Sequence, residues 1–315
     1  MATFTLADPV PSPYEDAERI WKACHGWGTD EKAIIDVLAH RNAAQRNQIR
    51  LAFEEQHHEN LIKRLESELS GDFERAVYRW IFEPLEREAL MANIALKKKK
   101  KLNYQVIIEI ACVNSPKELL AVKDAYQARY KHSLEEDVAA HSIGDFRQLL
   151  VSLVSTYRYD GEEIDMGLAH SEAKTIQEAI VEDNFNHSEI IRILSTRSKA
   201  QLRATFNHYK DEYGVSITKA LAANPTNEFA HALRTAIRCI VSPYKYFVKV
   251  LRGAVSSKNT DEDALTRMVV MHAEKDLKLI KEMFYERTNV TLEDAVGKET
   301  SGDYRTFLLA LIGGN

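Results

Sequence analysis

The stretch KAIIDVLAHRNAAQR occupies residues 32–46 and decides the architecture, because related stretches return three more times. Its apolar residues Ile34, Ile35 and Leu38 follow the period of an amphipathic helix. The later copies are QVIIEIACVNSPKEL (105–119), SEIIRILSTRSKAQL (188–202) and DALTRMVVMHAEKDL (263–277). Repeated helical segments in a chain of 315 residues indicate a repeat protein.

A second segment repeats along with the first and fixes the length of the unit. SGDFERAVYRWI (70–81) returns as IGDFRQLLVSLV (143–154), TNEFAHALRTAI (226–237) and SGDYRTFLLALI (301–312). Two segments with a nearly constant separation predict four units of about 70 residues, since each unit stacks on its neighbours. We predict a short N-terminal tail over 1–11 and repeats over 12–84, 85–158, 159–242 and 243–315.

The first unit reads as five short helices, and alternating strand patterns are scarce, so we predict an all-α fold. The expected helices cover Tyr14–Cys24, a segment capped by Thr29, a segment capped by Asn42 that ends near Gln56, Leu61–Leu69, and a last segment that starts near Asp72 and stops by Pro84.

Composition places the chain among soluble globular proteins, with 45% hydrophobic and 28% charged residues. The net charge of −5 argues against a general nucleic-acid binder. The beginning of the chain lacks the apolar core of a signal peptide, and no apolar run could span a bilayer. The three cysteines (Cys24, Cys112 and Cys239) are too few for a disulfide framework, which predicts a cytoplasmic protein.

The loop GWGTDE (26–31) carries the candidate chemistry. A phosphate-binding loop would need a preceding strand and a Gly-Lys-Ser/Thr ending, and neither is present. A calcium loop or a plain interhelical turn remains. Glycines let a tight turn present backbone carbonyls, so Cys24, Gly26 and Gly28 are predicted to offer three oxygens to Ca²⁺.

A remote carboxylate favours the calcium interpretation. Glu68 follows Asp30 by 38 residues, and Glu299 follows Asp261 by the same interval. The second and third units have His141 and Asn224 at the aligned position, and they have also lost the glycine loop. Loss of both parts together is what a two-part metal site predicts. Thr29 and Glu31 are further predicted oxygen ligands beside the first loop.

With this loop and the acid 38 residues beyond its Asp, the chain resembles an annexin over residues 12 to 315, and its short tail and loop tryptophan resemble the plant branch. The resemblance implies a slightly curved disc of four five-helix repeats. It also implies that calcium loops on the convex face bind anionic phospholipid headgroups, so that the protein joins membranes peripherally when calcium rises. We therefore expect a calcium-dependent membrane-binding protein without catalysis.

The fourth unit departs from the pattern. Val255, Ser257 and Asn259 stand where the first unit has Cys24, Gly26 and Gly28, while Glu299 remains as the acid. Serine does not favour a left-handed backbone as glycine does, so a calcium site here is expected to be weaker than the first.

Two features predict contact with the membrane surface. Trp27, at the tip of the first loop, suits the interfacial layer, where indole rings are favoured. The five lysines Lys97, Lys98, Lys99, Lys100 and Lys101 replace the calcium loop of the second unit. Lysines beside an anionic bilayer contribute about 1 kcal/mol each, although such a run is more often only a solvated surface.

Activities proposed for plant annexins give the alternative, an enzyme that is a peroxidase or a nucleotide hydrolase. His40 aligns with a residue invoked for peroxidase activity, but no second histidine has haem-ligand spacing, and the DAVG stretch (294–297) is a weak nucleotide motif. The IRI stretch (191–193) resembles an actin-binding tripeptide, although its apolar residues favour a buried helix face. A sulfur cluster on Cys112 and Cys239 lacks its methionine, because Ile108 stands there. Self-association on membranes stays open.

Overall fold

The computed structural model describes residues 2–26, 28–97, 102–182, 188–223, 226–256 and 260–314. Within these ranges the regular structure is entirely helical, with five α-helices in each predicted repeat and one 3-10 turn. The all-α prediction is therefore confirmed. None of the helices in these ranges combines the length and the apolarity that a bilayer span requires.

The helices group into two compact units. The first unit contains residues 1–87 and 247–315, and the second contains residues 88–246. The helices of the first repeat are α1 (Pro13–Ala23), α2 (Glu31–Leu38), α3 (Ala43–His57), α4 (Leu61–Glu68) and α5 (Gly71–Trp80). Those of the fourth repeat are α16 (Pro243–Ala254), α17 (Glu262–His272), α18 (Leu277–Thr288), α19 (Leu292–Glu299) and α20 (Gly302–Ile312).

The second unit is built from the two middle repeats. The second repeat consists of α6 (Pro84–Leu96), α7 (Tyr104–Val113), α8 (Pro116–Tyr130), α9 (Leu134–His141) and α10 (Gly144–Val154). The third repeat consists of α11 (Met166–Val181), α12 (Ser188–Thr196), α13 (Lys199–Tyr213), α14 (Ile217–Ala220), the 3-10 turn Leu221–Ala223 and α15 (Glu228–Val241).

Side-chain caps set where the helices begin. Asn42 accepts a hydrogen bond from the Gln45 amide, as the sequence predicted for the start of α3. The predicted cap of α2 was wrong. Its N-cap is Asp30, whose carboxylate accepts from the Ala33 amide at 2.9 Å, so the Thr29 hydroxyl lies one residue before the cap and is directed elsewhere.

Buried arginines hold the first unit together around Trp80. The guanidinium groups of Arg46 and Arg87 lie 3.8 and 4.7 Å from the Trp80 ring centroid. Both pair with the carboxylate of Glu274: Arg46 joins repeat one to repeat four, and Arg87, on α6 of repeat two, meets the same carboxylate. The predicted tail packs here as well, because Phe4 is buried and meets the edge of the Trp80 ring.

Candidate calcium site

The loop between α1 and α2 depends on its two glycines. Gly26 has a φ of 122° and Gly28 a φ of 89°, a region of backbone space that side chains other than glycine rarely adopt. The amide of Asp30 donates to the carbonyl of Ala23 at 2.9 Å and closes the loop at its base. Gly26 and Gly28 are both exposed, and their backbone angles permit the turn between α1 and α2. Trp27 lies outside the described residues.

Glu68 reaches this loop from the last residue of α4. The Thr29 hydroxyl donates to Oε2 of Glu68 at 3.0 Å and lies 3.4 Å from the Glu68 carbonyl oxygen. The fold therefore joins the glycine loop to the acid that follows Asp30 by 38 residues. Thr29, no longer a helix cap, instead positions the carboxylate beside the loop.

The environment of Cys24 disfavours its sulfur as a metal ligand. The residue is buried, and burial together with the negative charge of Glu68 raises the pKa of the Cys24 thiol to about 11. A thiol with this pKa stays protonated at neutral pH and is a poor metal ligand. The carbonyl oxygen of Cys24, by contrast, faces a cationic donor from α4.

That donor is Arg64, which the sequence reasoning missed. Its Nη2 donates to the Cys24 carbonyl at 2.6 Å and lies 3.4 Å from Oε1 of Glu68. One guanidinium nitrogen thus contacts two of the predicted calcium ligands. The signal was present in the sequence, because Arg64 precedes Glu68 by four residues on α4, the spacing at which helical side chains meet.

Stacked aromatic rings adjoin the loop between α1 and α2. The His25 imidazole stacks on Trp21 with ring centroids 3.7 Å apart, and His57 stacks on Trp21 at 4.9 Å. His25 Nδ1 lies 3.2 Å from the Trp21 carbonyl oxygen. These contacts hold His25, the residue between Cys24 and Gly26, against the last turn of α1.

The fourth repeat has the same backbone hydrogen bond and the same threonine–glutamate contact as the first. The Asp261 amide donates to the Ala254 carbonyl at 2.9 Å, as Asp30 does to Ala23. The Thr260 hydroxyl lies 3.5 Å from Oε2 of Glu299, a longer contact than between Thr29 and Glu68. The position of Arg64 is taken by Ala295. Val255 is half-buried at the end of α16, whereas Ser257 and Asn259 lie outside the described residues.

One solvent-open cavity collects the acids of both repeats. It has a volume of about 340 Å³ and is lined by Glu68 and Glu299. Four more acids line it: Glu31, Asp72, Glu262 and Asp303. Carboxylates concentrated in one cleft create a negative potential that attracts cations. Glu31, which the sequence predicts as a ligand, lines the same cavity as Glu68.

The middle repeats differ at the corresponding places. His141, which replaces the acid in repeat two, turns its Nδ1 toward the Asp137 carbonyl at 2.7 Å. Lys97 is exposed, and Lys98 to Lys101 lie outside the described residues, as does Asn224. Ile143, which aligns with Ser70, leaves 80% of its surface exposed. The sequence reasoning missed this isoleucine, although the comparison of SGDF with IGDF exposes it.

The donor chemistry of the first repeat suits Ca²⁺. The ion prefers six to eight hard oxygens, at roughly 2.3–2.6 Å, from carbonyls, carboxylates and water. The loop provides backbone carbonyls, and Glu68 provides the carboxylate, with its side chain only partly exposed. The protonated Cys24 thiol leaves no soft ligand in the site to favour a thiophilic metal.

The comparison with known proteins agrees with the repeat structure. The family model described as Annexin matches residues 15–80, 91–153, 171–235 and 246–311. The chain belongs to the annexin family. Annexin-like protein RJ4 from Fragaria ananassa is 60% identical over 313 residues, covering 99% of both chains. Annexin D7 from Arabidopsis thaliana is 52% identical with the same coverage, which marks the chain as a plant-type annexin.

Solved structures of annexins share the fold. Annexin III superposes with a TM-score of 0.90 at 30% identity, covering 100% of this chain and 97% of that one. The calcium-bound annexin (Sm)1 gives a TM-score of 0.78 at 26% identity and covers 99% and 93%. Annexin membership supports calcium as the metal and calcium-dependent phospholipid binding in general.

The structure also describes the residues behind the alternative peroxidase, nucleotide and actin predictions. His40 is half-buried, with its Nδ1 2.7 Å from the Thr5 carbonyl oxygen, where it secures the tail of the annexin. The DAVG stretch, 294–297, lies inside α19 and therefore forms no loop. Ile191 and Ile193 of the IRI stretch are buried.

The other two cysteines are buried free thiols. Burial raises the pKa of Cys112 to about 11, so its thiol stays protonated at neutral pH. Cys112 lies on α7 and Cys239 on α15, both within the second unit. A protonated, buried thiol is a poor nucleophile and a poor metal ligand.

Proposed function

We propose that this annexin binds anionic phospholipid surfaces through Ca²⁺ held mainly by the first repeat. The observation that carries the proposal is the junction of the glycine loop with Glu68 through Thr29 at 3.0 Å. The proposed ligands are the carbonyls of Cys24, Gly26 and Gly28 and the Glu68 carboxylate. When bound, Ca²⁺ supplies a positive charge that attracts the phosphate of a lipid headgroup.

The charges of the site explain why membrane and ion should bind together. Glu68 neutralises only half the charge of a divalent cation, so an anionic lipid phosphate improves the balance. Each ligand then raises the affinity for the other by the same factor, because coupling of binding sites is reciprocal. Thr29 and Glu31 are proposed as further oxygen donors, with Glu31 on the wall of the acidic cavity.

Arg64 is proposed to oppose ion binding in the first repeat. Its Nη2 contacts both the Cys24 carbonyl and Glu68, and the positive guanidinium repels another cation at these oxygens. Arg64 must therefore release Cys24 before the carbonyl can serve the ion. The fourth repeat has Ala295 at this position and lacks the opposing charge, but its loop lacks the two glycines. We propose Val255, Ser257, Asn259 and Glu299 as a second, weaker site.

Contacts with the lipid itself are proposed for three features. Trp27 and the run Lys97–Lys101 were predicted from the sequence. The exposed Ile143 adds an apolar side chain at the start of α10, in the repeat that has lost its calcium loop. Apolar side chains at a bilayer interface gain about 25 cal/mol for each Å² removed from water.

The proposed cellular behaviour is that of a cytoplasmic protein that joins membranes when calcium rises. No catalytic function is proposed, because no observation on His40 or the DAVG stretch favours one. Actin is not proposed as a partner, since the two isoleucines of the IRI stretch are buried. Self-association on the membrane is left to measurement.

Co-sedimentation with vesicles tests the proposal. The full chain is titrated with Ca²⁺ in the presence of mixed phosphatidylserine–phosphatidylcholine vesicles, with phosphatidylcholine vesicles and Mg²⁺ as controls. We expect sedimentation with the anionic vesicles only when Ca²⁺ is present, and release by a chelator. Equal binding with and without Ca²⁺ at physiological salt would refute the proposal.

A further inference from the structure

Two histidines and a glutamate converge on the surface of the third repeat. His170 lies on α11, and His208 and Glu212 lie one turn apart on α13, the helix that packs most closely on α11. The spacing of four residues puts His208 and Glu212 on the same face of α13. Among the described residues, no other group of three His, Cys, Asp or Glu side chains brings its ligand atoms together in this way.

The distances among the three ligand atoms lie within about half an ångström of those in a tetrahedral metal site. Nδ1 of His170 lies 2.8 Å from Nε2 of His208, and this nitrogen lies 3.0 Å from Oε2 of Glu212. Nδ1 of His170 lies 3.5 Å from the same oxygen. Zinc bonds of about 2.0–2.1 Å place tetrahedral ligands roughly 3.3–3.4 Å apart, so small rotations of the rings would fit an ion between them.

Without a metal these three atoms compete for too few protons. A neutral imidazole has one N–H donor, and an ionised carboxylate has none. Nε2 of His208 lies within hydrogen-bond distance of both His170 and Glu212. In the tautomer in which Nδ1 of His170 carries no hydrogen, the one hydrogen on Nε2 of His208 would have to serve two acceptors. A cation at the centre instead uses the lone pairs of all three atoms.

The ligand types identify the class of metal. Two imidazole nitrogens and one carboxylate suit Zn²⁺ and its transition-metal neighbours, whereas Ca²⁺ and Mg²⁺ prefer oxygen ligands. The three side chains remain accessible, with 57%, 28% and 37% of their surfaces exposed for His170, His208 and Glu212. Water can therefore reach the site and complete a coordination shell.

We propose that His170, His208 and Glu212 form a binding site for Zn²⁺ or a similar transition metal, separate from the calcium loops. The site joins α11 to α13 by a metal cross-link within repeat three. A ligand that binds only the folded state stabilises it, so occupancy should raise the melting temperature. The site does not use the glycine loop, and its occupancy does not depend on the proposed lipid binding.

The test measures Zn²⁺ binding by the full chain in competition with a chromophoric chelator, with excess Mg²⁺ present. Wild type is expected to bind one equivalent through this cluster and to melt at a higher temperature when Zn²⁺ is added. His170→Ala and His208→Ala should each weaken this binding at least about tenfold, because loss of groups that only support a ligand already costs about that much. Co²⁺ should give the intense visible absorption of a tetrahedral site in wild type and lose it in both variants.

His132→Ala is the matched control. His132 and Glu136 also form an exposed His–Glu pair four residues apart, at 3.7 Å, but in the second repeat. This variant should keep wild-type Zn²⁺ affinity. Circular dichroism confirms folding of each variant, since the exposed His170 contributes little to the core. Absence of Zn²⁺ binding in wild type, or unchanged affinity in the His170→Ala/His208→Ala double variant, would overturn the proposal.

Discussion

Arg64 donates a hydrogen bond of 2.6 Å to the carbonyl oxygen of Cys24. The same nitrogen lies 3.4 Å from Oε1 of Glu68, so a fixed positive charge contacts both the loop and the remote acid. A metal ion at this carbonyl would meet the like charge of the Arg64 guanidinium, which opposes its binding. The calcium affinity of the first repeat should therefore depend on competition between Ca²⁺ and the Arg64 guanidinium.

The first prediction is that Arg64→Ala lowers the calcium concentration needed for half-maximal vesicle binding. We expect a shift of roughly three- to tenfold, because a hydrogen bond from a charged donor contributes on the order of 1.5 kcal/mol, and tenfold corresponds to about 1.4 kcal/mol. Arg64→Lys keeps the charge, so its half-maximal calcium concentration should lie between those of wild type and Arg64→Ala. The measurement is a co-sedimentation titration, supported by calorimetry without lipid.

Arg19→Ala controls for the loss of one positive charge, since Arg19 forms a surface pair with Asp36 away from the loop. It should bind calcium as wild type does. If Arg64→Ala instead needs more calcium than wild type, the arginine supports the loop and does not compete with the ion.

The second prediction concerns the two remote acids. Glu68→Gln keeps the shape of the side chain but removes the charge, so half-maximal binding should need several-fold more calcium at least. Glu299→Gln should have a smaller effect, because the fourth loop lacks the two glycines and Thr260 lies 3.5 Å from the acid. Vesicle binding of both variants is compared over the same calcium range.

Glu66→Gln is the matched control for Glu68→Gln. Glu66 lies on the same helix, is exposed and carries the same charge. It should leave the titration unchanged. Wild-type calcium dependence in Glu68→Gln would show that this carboxylate is no ligand.

Much of the fold could be predicted from the sequence. The spacing of apolar residues reveals the repeated helices, and capping residues mark where helices begin. The stripe of Ile34, Ile35 and Leu38 is buried, and Asn42 caps α3 as expected. Leu51 directly precedes the buried Ala52 and Phe53 on α3, yet 59% of its surface is exposed. Apolar identity alone does not show which face of a helix meets the core.

The candidate site was only partly predictable. Sequence spacing shows which residues the repeated backbone brings together, but it does not show the direction that a long side chain takes. The interval of 38 residues located Glu68 correctly beside Thr29. The direction of the Arg64 guanidinium depends on where the Cys24 carbonyl faces, which no repeat comparison gives. The pairing of Arg46 with Glu274 joins distant parts of the chain and left no local signal.

The third prediction is that Glu274→Gln destabilises the fold by on the order of 3 kcal/mol. Oε2 of Glu274 lies 2.9 Å from Nη2 of Arg46 and 3.3 Å from Nη2 of Arg87, and Oε1 accepts from the Ala43 amide. Removing the carboxylate takes away the countercharge that Glu274 gives to two buried guanidinium groups. Urea unfolding of wild type and variant gives the difference, and the exposed Glu66→Gln should unfold almost as wild type does.

The pH dependence of that difference follows from the same contacts. Burial alone would raise the pKa of Glu274, but the charges of Arg46 and Arg87 outweigh it and hold the pKa below its ordinary value. A lowered pKa in the folded state stabilises the protein above the unfolded-state pKa, and the gain is lost as pH falls through the folded-state value. The stability gap between wild type and Glu274→Gln should therefore be full near neutral pH and shrink in acid. A gap that does not change with pH would contradict the charge pairing.

The fourth prediction separates the calcium term of membrane binding from the lysine term. Replacing Lys97–Lys101 by glutamine removes five positive charges from the second repeat, which has no glycine loop. Lysines near an anionic surface contribute about 1 kcal/mol each, and this attraction is screened over roughly 10 Å at 0.1 M salt. The variant should therefore lose residual binding to phosphatidylserine vesicles in chelator, most visibly at low salt, while its calcium affinity without lipid stays near wild type. Ile143→Ser should weaken binding at both salt concentrations, because burial of apolar surface is not screened. If the lysine variant binds in chelator at low salt as wild type does, the run is a solvated surface that does not contact lipid.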